Sequence, residues 1–298
     1  MAFATLCCAF TGHAHAEGQR ITVVDSGATE YTARYVKALR QRLGDGAVSV
    51  IAVDQLTTLP LADSLYVAVG EVALQTLLAK NVTAPVLSVF LAKLEYLNAA
   101  AASAKSSDAK LSAIFADPSP SIQLKLVSLL FPRAPRVGVV LGQASSQWAA
   151  DLTAAGRDNE VAVTVETVAS ADELYAALAK LSQTDAVLAV PDSQIYNKET
   201  LRTILLSTYR RGQALIGYSP GMVKAGALAT VSCGVDQIAE QTMRWIADYE
   251  QSGRVPNPQH CDNYDVFLNE RVLTSLELTA PPKEVLLRQL QEREDKKQ

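Results

Sequence analysis

Histidine is scarce in this chain of 298 residues: there are three, at positions 13, 15 and 260. Cysteine occurs four times, and aromatic residues make up only 6% of the chain. A zinc site needs several His or Cys ligands brought together. One internal histidine and the separated Cys233 and Cys261 do not supply it. Neither a G-x-G-x-x-G fingerprint nor a Walker loop occurs, and no cofactor is expected. No block of Lys or Arg interrupts a chain of net charge -4, so nothing points to nucleic acid. Beyond the N-terminus no apolar run is long enough to span a bilayer. What is present is a large apolar content, 49% against 19% charged. That suits a sizeable core, in one large domain or two of ordinary size.

The first twenty residues read MAFATLCCAFTGHAHAEGQR. An apolar run ends in Ala14-His15-Ala16, with small residues where signal peptidase requires them. We read 1–16 as a cleavable export signal, although no Lys or Arg precedes Arg20. The alternatives are a lipoprotein acylated at Cys7 or Cys8, whose preceding residues suit acylation poorly, and an ordinary buried N-terminal helix. Export places the mature chain in the periplasm and removes Cys7, Cys8, His13 and His15. Cys233 and Cys261 then remain in an oxidising compartment, either bonded or as two free thiols.

After the leader, short β-branched runs alternate with longer helical patterns. RITVVDS, AVSVIAV, SLYVAVG, APVLSVFL and LSAIFAD read as strands. EYTARYVKALRQRLG, EVALQTLLAK and PSIQLKLVSLLF read as helices, and LEYLNAAAASAKSSDAK as a weak helix or loop. The alternation restarts at RVGVVLG and runs to ALIGYS. Near-continuous apolar strands indicate parallel sheets covered on both faces, and the alternation indicates βαβ units. The fold class is therefore α/β, with two doubly wound lobes. Such sheets hold ligands beyond the carboxyl ends of their strands.

One stretch suggests chemistry. Gly217-Tyr218-Ser219-Pro220-Gly221 is a G-x-S-x-G after a predicted strand, the pattern of a nucleophile elbow. An elbow uses the N–H after its serine as an oxyanion donor, and Pro220 has none. Losing one such donor costs roughly 3–4 kcal/mol of barrier. The only histidine left to act as base is His260, in a loop rich in Pro and Asn. We read the chain as a non-enzyme.

Three longer stretches carry a resemblance. They are IFADPSPSIQLKLVSLLFPRAPRVGVVLG, then AVPDSQIYNKETLRTILLSTYRRGQALIGYSPGMVKAGALATVS, then the segment from GVDQIAEQ to SLELTAP. Over roughly 20–285 the chain resembles the periplasmic substrate-binding proteins of ABC transporters, in the branch with tryptophan-like or amino-acid-like ligands. The resemblance implies the type I periplasmic-binding fold, two lobes joined by three crossing segments. The first lobe would be 17–116 plus about 234–253, and the second 118–232 plus about 262–298. Crossings are implied near Asp117, Ser232 and Cys261, where a disulfide between Cys233 and Cys261 would tie the hinge. The implied function is capture of a small, amino-acid-like molecule for an inner-membrane ABC permease by a monomer. The alternative partner is a membrane sensor or outer-membrane receptor, without transport. The chain departs from the family at Gly70-Glu71-Val72 and in lacking an Asp-Pro after VLSVFL, so the ligand's identity does not carry over.

The loops after strands supply the expected ligand contacts: Ser26, Thr29, Gly70, Glu71, Asp117, Ser119, Ser145, Ser146, Asp192, Tyr196, Tyr218 and Ser219. Asp192 or Glu71 offers a partner for a ligand ammonium. Against this, Asp192, Ser145 or Ser146 reads as a helix cap, Asp117 as the close of a turn, and both tyrosines as core-edge packing.

Overall fold

The computed structural model describes residues 20–27, 29–59, 65–103 and 110–292. The stretch read as an export leader, Ala28 and the charged tail beyond 292 lie outside the described residues. The first sheet is built by β1 (Ile21–Asp25), β2 (Val48–Ala52), β3 (Leu65–Val69), β4 (Val86–Val89) and β5 (Leu111–Phe115). Between them run α1 (Glu30–Leu43), α2 (Gly70–Ala79) and α3 (Lys93–Ser103). The chain then builds the second lobe with α4 (Pro120–Leu130), β6 (Arg136–Leu141), α5 (Ala149–Asp158), β7 (Ala162–Thr167) and α6 (Leu174–Lys180). It continues with β8 (Ala186–Leu188), α7 (Lys198–Arg210), β9 (Ala214–Ile216), α8 (Pro220–Ala225) and β10 (Ala229–Ser232). The chain returns to the first lobe for α9 (Val235–Ser252) and β11 (Gln259–His260). It ends in the second with β12 (Asp265–Leu268), α10 (Glu270–Ser275) and α11 (Lys283–Gln291).

The strand orders are β11-β5-β4-β3-β1-β2 and β12-β10-β9-β8-β6-β7. The pairings are parallel except β10 with β12, which is antiparallel. Central strands such as β1, β3 and β4 are buried at every position. Helices cover both their faces, which is why they read as unbroken apolar runs. The edge strands β2 and β7 carry exposed or half-exposed positions instead. In the first sheet Val23, Val67 and Leu87 face α1 and α9, while Val24, Ala68 and Val86 face the other side.

Capping residues set where the helices begin. The Thr29 hydroxyl accepts from the Thr32 N–H at α1, and Ser119 accepts from the Ile122 N–H at α4, with Pro120 in the first turn. Asn197 and Thr200 form a reciprocal capping box at α7. Gly253, in the left-handed region at φ 65°, closes α9.

Although α9 follows the second lobe in sequence, it is locked to the first. Trp245 Nε1 donates to Ser112 Oγ at 2.9 Å, and Tyr35 Oη lies 2.8 Å from Thr242 Oγ1. Buried polar groups that find partners in this way fix a helix in one position as well as burying its apolar face. Among the described residues no helix is long and apolar enough to cross a membrane.

A candidate binding cleft between the lobes

The three crossings lie side by side and are bonded to one another. His260 Nδ1 sits 2.9 Å from the Asp117 carbonyl oxygen, which joins the third crossing to the first. A carbonyl only accepts, so Nδ1 is the donor. Cys233 and Cys261 are disulfide-bonded, with Cα atoms 6.4 Å apart, which joins the second crossing to the third. Gln241 on α9 donates to the His260 carbonyl at 3.1 Å and accepts from the Asp262 N–H at 3.1 Å. His260 also packs edge-on against Phe115, with ring centroids 5.1 Å apart. Burial holds its imidazole below the ordinary value, while burial raises the carboxyl of Asp117.

Above this hinge a cleft of about 730 Å³ opens between the carboxyl ends of both sheets. That is the size of a small-molecule site, at the place where open α/β sheets present their loops. A separate hollow of about 870 Å³ runs along α1 and β2, lined by Thr29, Val36, Arg40 and Val50. It belongs to the first lobe alone, so movement of the lobes would not enclose it.

The second lobe's loops are built around one carboxylate. Asp192 is only 1% exposed. Its Oδ2 accepts from Ser145 Oγ at 2.5 Å and from the Gly142 N–H at 3.1 Å, and its Oδ1 accepts from the Gln194 N–H at 3.0 Å. A side chain at Gly142 would place its Cβ 2.7 Å from Asp192 Oδ2, so the close approach requires glycine. Tyr196 is buried beneath this clamp, its hydroxyl 3.1 Å from the Val140 carbonyl and 3.3 Å from that of Leu188. Ser146 closes its own turn onto the Gln143 carbonyl.

The first lobe presents the cleft with carboxylates instead. Glu71 stands in the first turn of α2 and accepts from Gln75 Nε2 at 2.8 Å. Glu95 accepts from the Ala92 N–H at 2.7 Å. Asp117, 6% exposed, accepts from the Lys93 N–H at 2.7 Å. Burial, with Glu95 nearby, raises the Glu71 carboxyl. Phe90, at the end of β4, also lines the cleft and sits at φ 57°, a left-handed conformation rare for a bulky residue. Tyr35 packs edge-on against its ring, with centroids 5.2 Å apart.

Of the residues expected to meet a ligand, the cleft brings together Glu71, Asp117, Asp192, Tyr218 and Ser219. Ser26 donates to the Val69 carbonyl beside Gly70, which adopts φ 81°. Thr29 and Ser119 cap helices, and Ser145, Ser146 and Tyr196 serve the second-lobe loops. Sequence reasoning passed over Tyr31, Phe90, Glu95, Asn98 and Asp265, which also line the cleft. Phe90 follows directly on β4 and Glu95 lies in the first turn of α3 after it, so the rule that ligands sit beyond strand ends would have found them. Asp265 sits on an antiparallel strand, to which that rule does not extend.

Ser219 occupies the N-cap position of α8 without a side-chain capping bond, followed by Pro220. His260 is committed to Asp117. No hydrogen bond links these two side chains.

Two doubly wound lobes with three crossings make this the type I periplasmic-binding-protein-like fold. Among similar solved structures is the ligand-free, open form of a substrate-binding protein with adhesive properties from Clostridium difficile. Its TM-score is 0.64 at 16% identity, over 89% of this chain and 97% of that one. The ABC domain from Streptococcus pneumoniae in complex with L-Trp aligns at TM-score 0.57 and 15% identity, over 91% of this chain and 98% of the other. A conserved domain protein from Vibrio cholerae aligns at 0.57 and 15%, over 92% and 98%. No family model and no curated protein sequence matches the chain.

Proposed function

We propose that this protein is an exported solute-binding protein. It captures a small molecule between its lobes, closes over it by movement at the hinge, and delivers it to an inner-membrane ABC permease. The observation that carries this reading is the cleft of about 730 Å³ at the carboxyl ends of both sheets, above three mutually bonded crossings. A ligand touching both lobes favours the closed arrangement by its differential contacts. The L-Trp complex of a structural neighbour supports a small-molecule ligand in this fold. The N-terminal stretch supports export. No catalytic step is assigned, because Ser219 lacks both a bonded base and the N–H donor of an elbow.

Two measurements test the reading. A thermal-shift screen of amino acids, amines, sugars and organic acids on protein purified from a bacterial periplasm should find a stabilising class. A ligand at about 100 times its dissociation constant adds roughly 2.7 kcal/mol. N-terminal sequencing of that material should begin at Glu17. A silent screen with an unprocessed N-terminus would contradict both capture and export.

A further inference from the structure

The charge around the cleft is lopsided. Among the described residues that line it there are five carboxylates, Glu71, Glu95, Asp117, Asp192 and Asp265, and one amine, Lys224. Two of the five are satisfied within the protein. Asp192 accepts three hydrogen bonds, and Asp265 pairs with Lys283 at 3.3 Å. Glu71 and Glu95, from the first lobe, hold hydrogen bonds but no ion pair within 4 Å among the described residues, whereas Asp117 at the first crossing already has Lys93 and His260 close by. Glu95 is exposed and Glu71 half-buried, so both carboxylates are open to a molecule entering the cleft.

Sites for a ligand carboxylate are correspondingly poor. Lys224 is exposed and stands at the margin of the cleft, shared with a neighbouring hollow whose other charged groups are Glu270, Arg271 and Lys283, the last paired with Asp265. The helix N-termini at the cleft, which would otherwise attract an anion, are already negative or one donor short. α2 carries Glu71 in its first turn, and α8 opens on Pro220, which has no N–H. α9 carries Asp236, with Gln237 Oε1 folded over Gly234, 2.5 Å from where a Cβ there would lie.

The same walls present aromatic surface. Phe90 and Tyr218 line the cleft, and Tyr31 stands at its rim, 68% exposed. Tyr218 lies opposite Glu95 across the cleft, close enough that Glu95 adds to the effect of burial on its hydroxyl. Aromatic faces and carboxylates together attract an organic cation, the one by ring quadrupole and the other by charge.

We propose that the solute taken by this cleft is a small organic cation with an apolar or aromatic body and no carboxylate of its own. Glu71 and Glu95 supply the countercharge, and Phe90, Tyr218 and Tyr31 the walls. This rests on the solute-capture reading above and narrows it to one chemical class.

A matched set of probes isolates charge at constant shape: phenethylamine (cation), phenylalanine (zwitterion) and phenylpropionate (anion), beside choline and cadaverine as further cations and glucose as a neutral control. Calorimetric titration into wild-type protein should show at least one cation binding tenfold or more tighter than phenylalanine, with phenylpropionate and glucose silent. Glu71→Gln and Glu95→Gln should each weaken that cation about tenfold, with melting curves showing that the variants are folded. Tighter binding of phenylalanine, phenylpropionate or glucose than of every cation would overturn the cation assignment and leave solute capture standing. Silence from this set and from the wider metabolite screen would overturn both.

Discussion

The two lobes are alike in architecture and opposite in how they spend polar groups at the cleft. The second lobe turns them inward. Asp192, Ser145 and Tyr196 are consumed in bonds that hold its own loops. The first lobe leaves Glu71 and Glu95 at the cleft without an ion-pair partner among the described residues. The same residue type after the same kind of strand therefore does two different jobs. Burial with protein donors makes a carboxylate structural, and a carboxylate that borders the open cleft without an ion-pair partner is left to meet a cation.

The largest effect should come from the device that joins the lobes. Replacing Cys233 and Cys261 by serine removes a cross-link spanning 28 residues. Urea unfolding should show a loss of roughly 3–4 kcal/mol on the chain-entropy account. An unchanged midpoint would mean the crossings are held by their other bonds alone.

The second lobe's carboxylate should come next. Asp192→Ala leaves the Gly142 N–H and the Ser145 hydroxyl without their acceptor in a dry site. Stability should fall by about 3 kcal/mol. A change under about 0.5 kcal/mol would show that Asp192 is not the clamp described here.

Protonation at the hinge should have a smaller effect. His260 is held below its ordinary value by burial, so the unfolded chain takes up the proton first. Its contribution is complete above pH 6.5, the ordinary value, and is lost as pH falls through the window below it. Asp117 is raised by burial and works in the opposite sense, gaining as pH falls toward the acid side. His260→Gln keeps a donor and removes only the first effect. Between pH 7.5 and 5.5 its unfolding midpoint should drop less than that of wild type, by about 1 kcal/mol or less. An equal drop in both proteins would remove His260 from the account.

The smallest stability effect belongs to the first lobe. Glu71→Gln and Glu95→Gln should change unfolding by no more than about 0.5 kcal/mol each, since both side chains border open space. A loss of several kcal/mol in either would make that carboxylate structural, as in the second lobe, and erase the contrast.

Much of the fold was legible in the chain because βαβ units with buried strands leave a plain mark. Unbroken apolar runs such as ITVVD and LYVAV are what two-sided burial requires. Less was legible where an element owes its place to distant contacts. The return of β11 to the first sheet rests on two residues pairing with Ile114 and Phe115, and two residues carry no periodicity. The site was legible only at the level of loops. Glu71, Asp117, Asp192, Tyr218 and Ser219 do line the cleft. Nothing local distinguishes Asp192, taken by Gly142 fifty residues earlier, from Glu71, which borders the open cleft. That difference is made by partners far away in sequence. Phe90 and Glu95 escaped notice because a Phe after a strand reads as core and a Glu at a helix start reads as a solvated charge.

The most direct test is calorimetric titration of phenethylamine into wild-type protein, the Glu71→Gln/Glu95→Gln double variant and Tyr218→Phe, with fold checked by melting. The account predicts binding in wild type, a loss of a hundredfold or more in the double variant, and a loss of a few-fold in Tyr218→Phe, because charge recognition resides in the first lobe. Equal affinity in wild type and the double variant would contradict it.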